Sequence, residues 1–263
     1  MSVPDRRELQ RFLELAETAA IAGGKVLLDW AGRFSVREKG RADLVTEADE
    51  ASQKVIHDLI AAEFPDHGFL GEEGLQSDPG TSDLQWIIDP LDGTSNYVHG
   101  FPYYAVSIGL CRGSVPLVGV IHDPNRSETF TAIASHGAWL NGTAIQTTGE
   151  TELQRTMGMA SLPVGATDTD PAVRRFLKAM NHLQTVQRTG SAALNLASVA
   201  CGRVDVFWST SLKPWDVAAG VLLVTEAGGT VTSLSGGPFD IFVPSLLAAC
   251  SVTIQKDVAA ILN

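Results

Sequence analysis

Asp89 and Asp92 stand three residues apart in the run Trp86-Ile-Ile-Asp-Pro-Leu-Asp-Gly-Thr-Ser-Asn-Tyr97, directly behind an apolar stretch. Pro90 fixes its own φ, disfavours helix at the residue before it and donates no hydrogen bond, so the chain is expected to turn as it leaves a buried strand at Asp89. Such a turn would face both carboxylates into one pocket. Clustered acids at a strand end repel one another and raise each other's pKa unless a cation compensates, and hard oxygen ligands of this kind suit Mg²⁺. The N–H groups after Asp92 and the Thr94 hydroxyl add donors of the kind a phosphate oxygen needs. Asp-Pro and Asp-Gly are also ordinary turn dipeptides, and taken alone the run reads as loop punctuation.

Three further acidic segments shift that balance. In Asp43-Leu-Val-Thr-Glu-Ala-Asp49, Thr46 stands three residues ahead of Asp49 and before the apolar Val55, Ile56, Leu59 and Ile60, a capping-box start for a helix. A helix N-terminus also suits an anion, so both readings hold together. Glu72-Glu73 lies between glycines after Phe69-Leu70, which could end a strand, although adjacent glutamates on a loop are usually just solvated. Asp216 follows Pro214-Trp215 and precedes an apolar run to Val224, where it could equally be a helix-start residue. A pocket holding Glu72, Asp89, Asp92 and Asp216 would repel a phosphate, so divalent cations have to come first. Bound Mg²⁺ reverses the local field, lowers the pKa of a water and neutralises charge on a leaving oxygen. The six histidines are scattered without zinc-ligand spacing, and no Cys, His or Ser constellation competes as nucleophile, so direct in-line attack by water fits best.

The ordered set Asp49, Glu72-Glu73, Asp89-Pro-Leu-Asp-Gly-Thr94, Trp215-Asp216 and Gly228-Gly229 resembles the inositol monophosphatase family, the lithium-sensitive, magnesium-dependent phosphomonoesterases. Arg188-Thr-Gly-Ser-Ala-Ala-Leu-Asn195 and Leu212-Lys-Pro-Trp-Asp216 strengthen the likeness. The resemblance implies that Glu72, Asp89, Asp92 and Asp216, with the carbonyl of Leu91, hold Mg²⁺. It implies that Thr46, Asp49, Glu72 and Thr94 orient and deprotonate the attacking water. On the substrate side it implies Lys39 on a loop over the site, Asp92 and Asp216, the N–H groups of Gly93 and Thr94, and Gly190, Ser191 and Ala192. One departure stands out. Seven residues before Asp216, where inositol-specific members carry a glutamate, this chain has Ser209. Gly228-Gly229 is more simply a helix end and turn.

Elements able to position these groups follow from periodicity. Leu9, Phe12, Leu13, Ala16, Ala19, Ala20 and Val26 predict a long first helix stopping near Gly32, and a second helix follows Thr46. Strands are predicted at Trp86–Ile88, Tyr104–Cys111, Val115–Ile121, Thr129–Ala134 and Ala138–Ile145, a largely antiparallel meander. From Thr156 strands and helices alternate: strand Met157–Ser161, helix Pro171–His182, a strand near Val186, helix Ser191–Ala200, strand Val204–Trp208, helix Asp216–Ala227 and strand Thr230–Leu234. The fold class is therefore α/β (α+β), with an N-terminal half over 1–150 carrying most metal ligands. A C-terminal half over 151–263 carries Asp216 and the substrate-side residues. The resemblance implies a layered α-β-α-β-α sandwich with an antiparallel N-terminal sheet and a second, helix-covered one.

Composition bounds the function. With 263 residues, 44% hydrophobic and 19% charged, the chain can bury a sizeable core. A net charge of −11 argues against binding nucleic acid or an anionic membrane, each of which needs a basic face. Cys111, Cys201 and Cys250 are odd in number and outside any Cys-x-x-Cys spacing, so reduced thiols in a cytoplasmic protein are expected. Charges from Asp5 to Glu8 speak against a signal peptide, and no run of about 18 apolar residues is long enough to span a membrane. The expected activity is Mg²⁺-dependent hydrolysis of a small phosphorylated polyol, with inositol monophosphate leading. Histidinol phosphate, a sugar bisphosphate or adenosine 3′,5′-bisphosphate are alternative substrates. A regulatory or scaffolding protein keeping the fold is the alternative of another class, and the intact acid set speaks against it. A homodimer is expected from family likeness and from Phe101, Tyr103, Tyr104 and Trp139, aromatics of the kind enriched at interfaces.

Overall fold

The computed structural model describes residues 4–40, 43–78 and 80–263, and the side chains of 38–45 lie outside that description. Asp5 starts helix α1 (Arg6–Trp30) by accepting from the N–H groups of Arg7 and Glu8 at 2.8 and 2.9 Å. The buried stripe of α1 is the predicted one, except that Leu27 and not Val26 closes it. Gly23 and Gly24 occupy the buried turn before Leu27. A Cβ on Gly24 would lie 2.6 Å from His122 Cδ2, so the missing side chain is what lets α1 lie this close to the sheet.

A hairpin of β1 (Val36–Gly40) and β2 (Asp43–Thr46) leads into α2 (Glu47–Glu63). The first large sheet contains β3 (Gly68–Gly71), β4 (Gln76–Ser77), β5 (Leu84–Asp92), β6 (Ala105–Arg112), β7 (Val115–Asp123), β8 (Glu128–Ile133), β9 (Gly137–Leu140) and β10 (Thr143–Ala144). Its order is β10-β9-β8-β7-β6-β5-β3-β4, antiparallel throughout except where β3 runs parallel to β5. The short helix α3 (Thr94–Val98) follows β5. Next come β11 (Met157–Ala160), α4 (Pro171–Met180), β12 (Thr185–Gln187), α5 (Ala192–Ala200), β13 (Val206–Ser209), α6 (Pro214–Glu226), β14 (Thr230–Thr232), β15 (Leu246–Ala249) and α7 (Val252–Leu262). The second sheet orders as β12-β11-β13-β15-β14, with β11 parallel to both its neighbours.

Strand alternation builds the layers. Trp86 and Ile88 of β5 face α1 and α2, while Ile87 between them joins a middle core with α5 and α6. From the second sheet, Phe207 and Ala248 point into that middle core; Val206, Trp208, Leu247 and Ala249 point the other way, among Ala179 of α4 and Ile254, Val258 and Leu262 of α7. The result is the expected α-β-α-β-α sandwich. Among the described residues no helix is long and apolar enough to cross a membrane, and Cys111, Cys201 and Cys250 are free thiols.

Three differences from expectation have physical causes. β5 does not stop at Ile88 but continues to Asp92; its pairing with β6 is irregular between Asp89 and Asp92, because Pro90 has no N–H to give the ladder. The single strand predicted over Ala138–Ile145 is β9 and β10 joined by Asn141-Gly142, both at positive φ, the Asn-Gly hairpin turn. β15 and α7 were not foreseen, since Leu246-Leu-Ala-Ala is buried on both faces and lacks alternation. Of the aromatics expected at an interface, Tyr104 is core, whereas Phe101 is 53% exposed.

Candidate active site

The irregular end of β5 carries the site. Asp89 accepts a hydrogen bond from the Leu91 N–H at 3.0 Å, a local turn that holds its carboxylate, while the Ser52 hydroxyl of α2 ties down the Pro90 carbonyl at 3.1 Å. Gly93 then adopts φ 100°, from which α3 begins. A Cβ there would press on the Tyr103 carbonyl at 3.1 Å, so the turn after Asp92 requires glycine. From the other half, Asp216 sits in the first turn of α6, its carboxylate accepting the Lys213 N–H at 2.6 Å.

One carboxylate oxygen from each of Asp89, Asp92 and Asp216 lies within 4.8 Å of the others. Among the described residues, no arginine or lysine forms an ion pair with any of the three. Burial, then the charges of Glu72, Asp92 and Asp216, push Asp89 well above the usual carboxylate range. Burial raises Asp92 to about 6 against the opposing pull of its hydrogen bonds. Burial and then Asp92 raise Asp216 to about 7. An uncompensated trio of hard oxygen donors fits a divalent cation.

Asp92 is also bound across the molecule. It accepts from the Ser191 hydroxyl and from the N–H groups of Ala192 and Ala193 at 3.1 and 2.8 Å, so the start of α5 docks on this carboxylate. Ser191 and Ala192, expected to meet substrate, thus spend these donors on Asp92, and Ser191 is fully buried. Thr46 and Asp49 form the predicted capping box, with Asp49 Oδ2 2.9 Å from the Thr46 N–H and 2.6 Å from its hydroxyl. The other oxygen of Asp49 lies 3.5 Å from the Thr94 hydroxyl, which itself donates to the Leu91 carbonyl at 3.2 Å. Asp49 is buried, and burial raises it to about 6. Glu72 lies just beyond β3, in a turn whose Glu73 backbone exchanges hydrogen bonds with the Gln53 side chain at 3.2 and 3.3 Å.

A cavity of about 470 Å³ opens beside Asp92 and Asp216, lined also by Asn96, Arg188, Gly190, Ala192, Ser211 and Leu212. Ser209 does not line it: this residue is buried at the end of β13, its hydroxyl accepting the Ser211 N–H at 3.3 Å. Alternation along β13 puts Ser209 on the face of Phe207, toward the middle core that α5 and α6 share. Lys39 carries a side chain outside the described residues. Ser211, whose hydroxyl together with that of Thr210 is expected from the sequence to substitute for the missing glutamate, lines the cavity, whereas Asn96 and Arg188 were missed as cavity residues.

A five-layer sandwich with clustered carboxylates at the end of one sheet and a polar cleft beside them has the architecture of a metal-dependent phosphatase. The model of the Inositol monophosphatase family matches residues 8–263, and the chain belongs to that family. It is 40% identical over 244 residues to an inositol-1-monophosphatase of Synechocystis sp., covering 92% of this chain and 85% of that protein. It is 43% identical over 227 residues to the Nus factor SuhB of Xylella fastidiosa, covering 83% and 80%. Among solved structures, the inositol monophosphatase of Anabaena superposes with a TM-score of 0.86 at 39% identity, covering 97% and 96%. The protein is accordingly a phosphoric monoester hydrolase of a metal-dependent family acting on small phosphate monoesters.

Proposed function

We propose that the protein is a Mg²⁺-dependent phosphatase of small phosphorylated polyols, with inositol monophosphate the leading substrate. The observation that carries this reading is the trio Asp89, Asp92 and Asp216, of which Asp92 and Asp216 line a cavity bordered by Ser95, Asn96, Arg188 and Ser211. Glu72, Asp89, Asp92, Asp216 and the Leu91 carbonyl would hold the metal. When bound, Mg²⁺ supplies charge compensation for the phosphate and acidifies a water for attack near neutral pH. Asp49, held by Thr46 and 3.5 Å from the Thr94 hydroxyl, would with Glu72 and Thr94 orient an attacking water and accept its proton, and a carboxylate raised by burial only to about 6 is ionised enough at neutral pH to do so. The N–H groups of Gly93 and Thr94 at the start of α3 receive phosphate oxygens. Gly190, Ala192 and Ser211 border the alcohol portion of the substrate, and Lys39 completes the site from its loop.

With Ser209 in place of a glutamate and buried under Ser211, discrimination for the inositol ring is expected to be weak. Lithium inhibition, a homodimer using exposed Phe101 and a cytoplasmic location complete the proposal. The relative named a Nus factor supports a second reading, a regulatory protein that keeps this fold. Retention of every acid in the cluster favours catalysis. Phosphate release by purified protein in Mg²⁺, from a panel of cyclitol, sugar, amino-alcohol and nucleotide phosphates, tests the proposal. Turnover fastest on inositol 1-phosphate supports it, and no turnover of any compound favours the regulatory reading.

A further inference from the structure

Charge is distributed unevenly around the cavity. Asp92 and Asp216 stand at its acidic end, and Arg188 is the one cationic side chain among the described residues that line it. The Arg188 side chain makes no hydrogen bond or ion pair with any described residue, so its five donors are uncommitted. Its backbone is nonetheless fixed. The Asn96 amide donates to the carbonyls of Tyr103 and Thr189 at 2.7 and 2.9 Å, pinning the residue after Arg188 to the first sheet's side of the cleft. Gly190 follows at φ 92°, where a Cβ would collide with Asn96 at 2.9 Å, and Ala192 and Ala193 then dock on Asp92. Four residues of chain reach at most about 14 Å, and the bend at Gly190 shortens that path. Arg188 therefore lies within about 14 Å of chain from the residue that docks on Asp92 and lines the same cavity as Asp92 and Asp216, within reach of the remainder of a small ligand whose phosphate is held there.

Resting on the phosphatase reading above, we propose that Arg188 is a specificity-determining residue that binds a second anionic group of the substrate. Arg188 would then raise kcat/KM for phosphomonoesters carrying another phosphate or a carboxylate above what the same site gives without it, beside the neutral polyol phosphates the site already takes. A guanidinium pairs bidentately with either group, whereas the hydroxyls of a polyol offer it only neutral acceptors. No acidic side chain other than Asp92 and Asp216 lines the cavity among the described residues, so a second anion meets no opposing carboxylate at the Arg188 end.

Two matched substrate pairs test this: glucose 1,6-bisphosphate against glucose 1-phosphate, and 2-phosphoglycerate against glycerol 2-phosphate. Each is assayed for kcat and KM with Mg²⁺ in the wild type, Arg188→Met and Arg188→Lys. The anionic-to-neutral ratio of kcat/KM is expected to fall about tenfold in Arg188→Met, through KM, with Arg188→Lys retaining part of it. A fall in the first pair alone assigns a second phosphate, and a fall in the second pair a carboxylate. Ratios unchanged in both pairs, including an equal loss on all four compounds, would show general steering or structural support and overturn the proposal. Absence of turnover on every compound by the wild type would overturn the hydrolytic reading itself, and this inference with it.

Discussion

Replacing Asp216 by Asn should stabilise the metal-free protein while destroying its response to metal. Asn keeps an oxygen to accept the Lys213 N–H and removes a charge that faces Asp89 and Asp92. Asp216 rises from 3.8 to about 7 on folding, chiefly by burial and then by the Asp92 charge. The native state thus holds this proton more tightly than the unfolded chain, so stability falls as pH rises from about 4 to about 7 and is level above. Three pKa units correspond to about 4 kcal/mol as an upper limit. Partial exposure and charge sharing within the trio reduce this to about 2 kcal/mol, or roughly 4–8 °C in Tm for a chain of this size. The assay is thermal unfolding in EDTA from pH 4 to pH 8. The gain of Asp216→Asn over the wild type should be near zero at pH 4, grow towards pH 7 and then stay constant. Mg²⁺ should raise the Tm of the wild type and leave the variant almost unmoved. A variant less stable than the wild type at pH 8, or a gain independent of pH, would refute the claim that these acids are uncompensated.

Asp49→Asn should lower kcat by about 100-fold or more without lowering Tm at neutral pH, because Asn still accepts the Thr46 N–H and removes a buried charge but cannot take a proton; a loss below threefold would remove Asp49 from the chemistry. Gly24→Ala should cost about 1–3 kcal/mol in urea unfolding, since the new methyl meets buried His122. Ser209→Glu should increase kcat/KM for inositol 1-phosphate relative to glycerol 2-phosphate if this end of β13 can present the carboxylate to the cavity. An unchanged ratio would leave Ser211 as the residue that meets the ring.

Much of the site was legible because its residues also serve local structure. Thr46 and Asp49 are spaced as a capping box, Asp216 as a helix-start acid, and Asp89 to Thr94 as a turn, so each left a short-range trace. What stayed hidden depends on long-range geometry. That Asp92 would receive the start of α5, about a hundred residues later, follows only from the stacking of two sheets around α5 and α6. That Ser209 would be buried at the end of β13 and hold the Ser211 N–H was hidden for a related reason, since its distance along the chain from Asp216 says nothing about burial or about which face of β13 it occupies. The Asn96 clamp escaped because a single asparagine after Asp-Gly-Thr-Ser reads as more of the same turn.

Phosphate release should depend strictly on added metal. Protein stripped with EDTA and freed of chelator should release no phosphate from inositol 1-phosphate, and titration with Mg²⁺ should restore turnover in a saturable way. Asp89→Asn should stay inactive across the same titration. Full turnover by the stripped wild-type protein, or restoration of Asp89→Asn to wild-type rates, would contradict the assignment of Asp89, Asp92 and Asp216 as the metal centre.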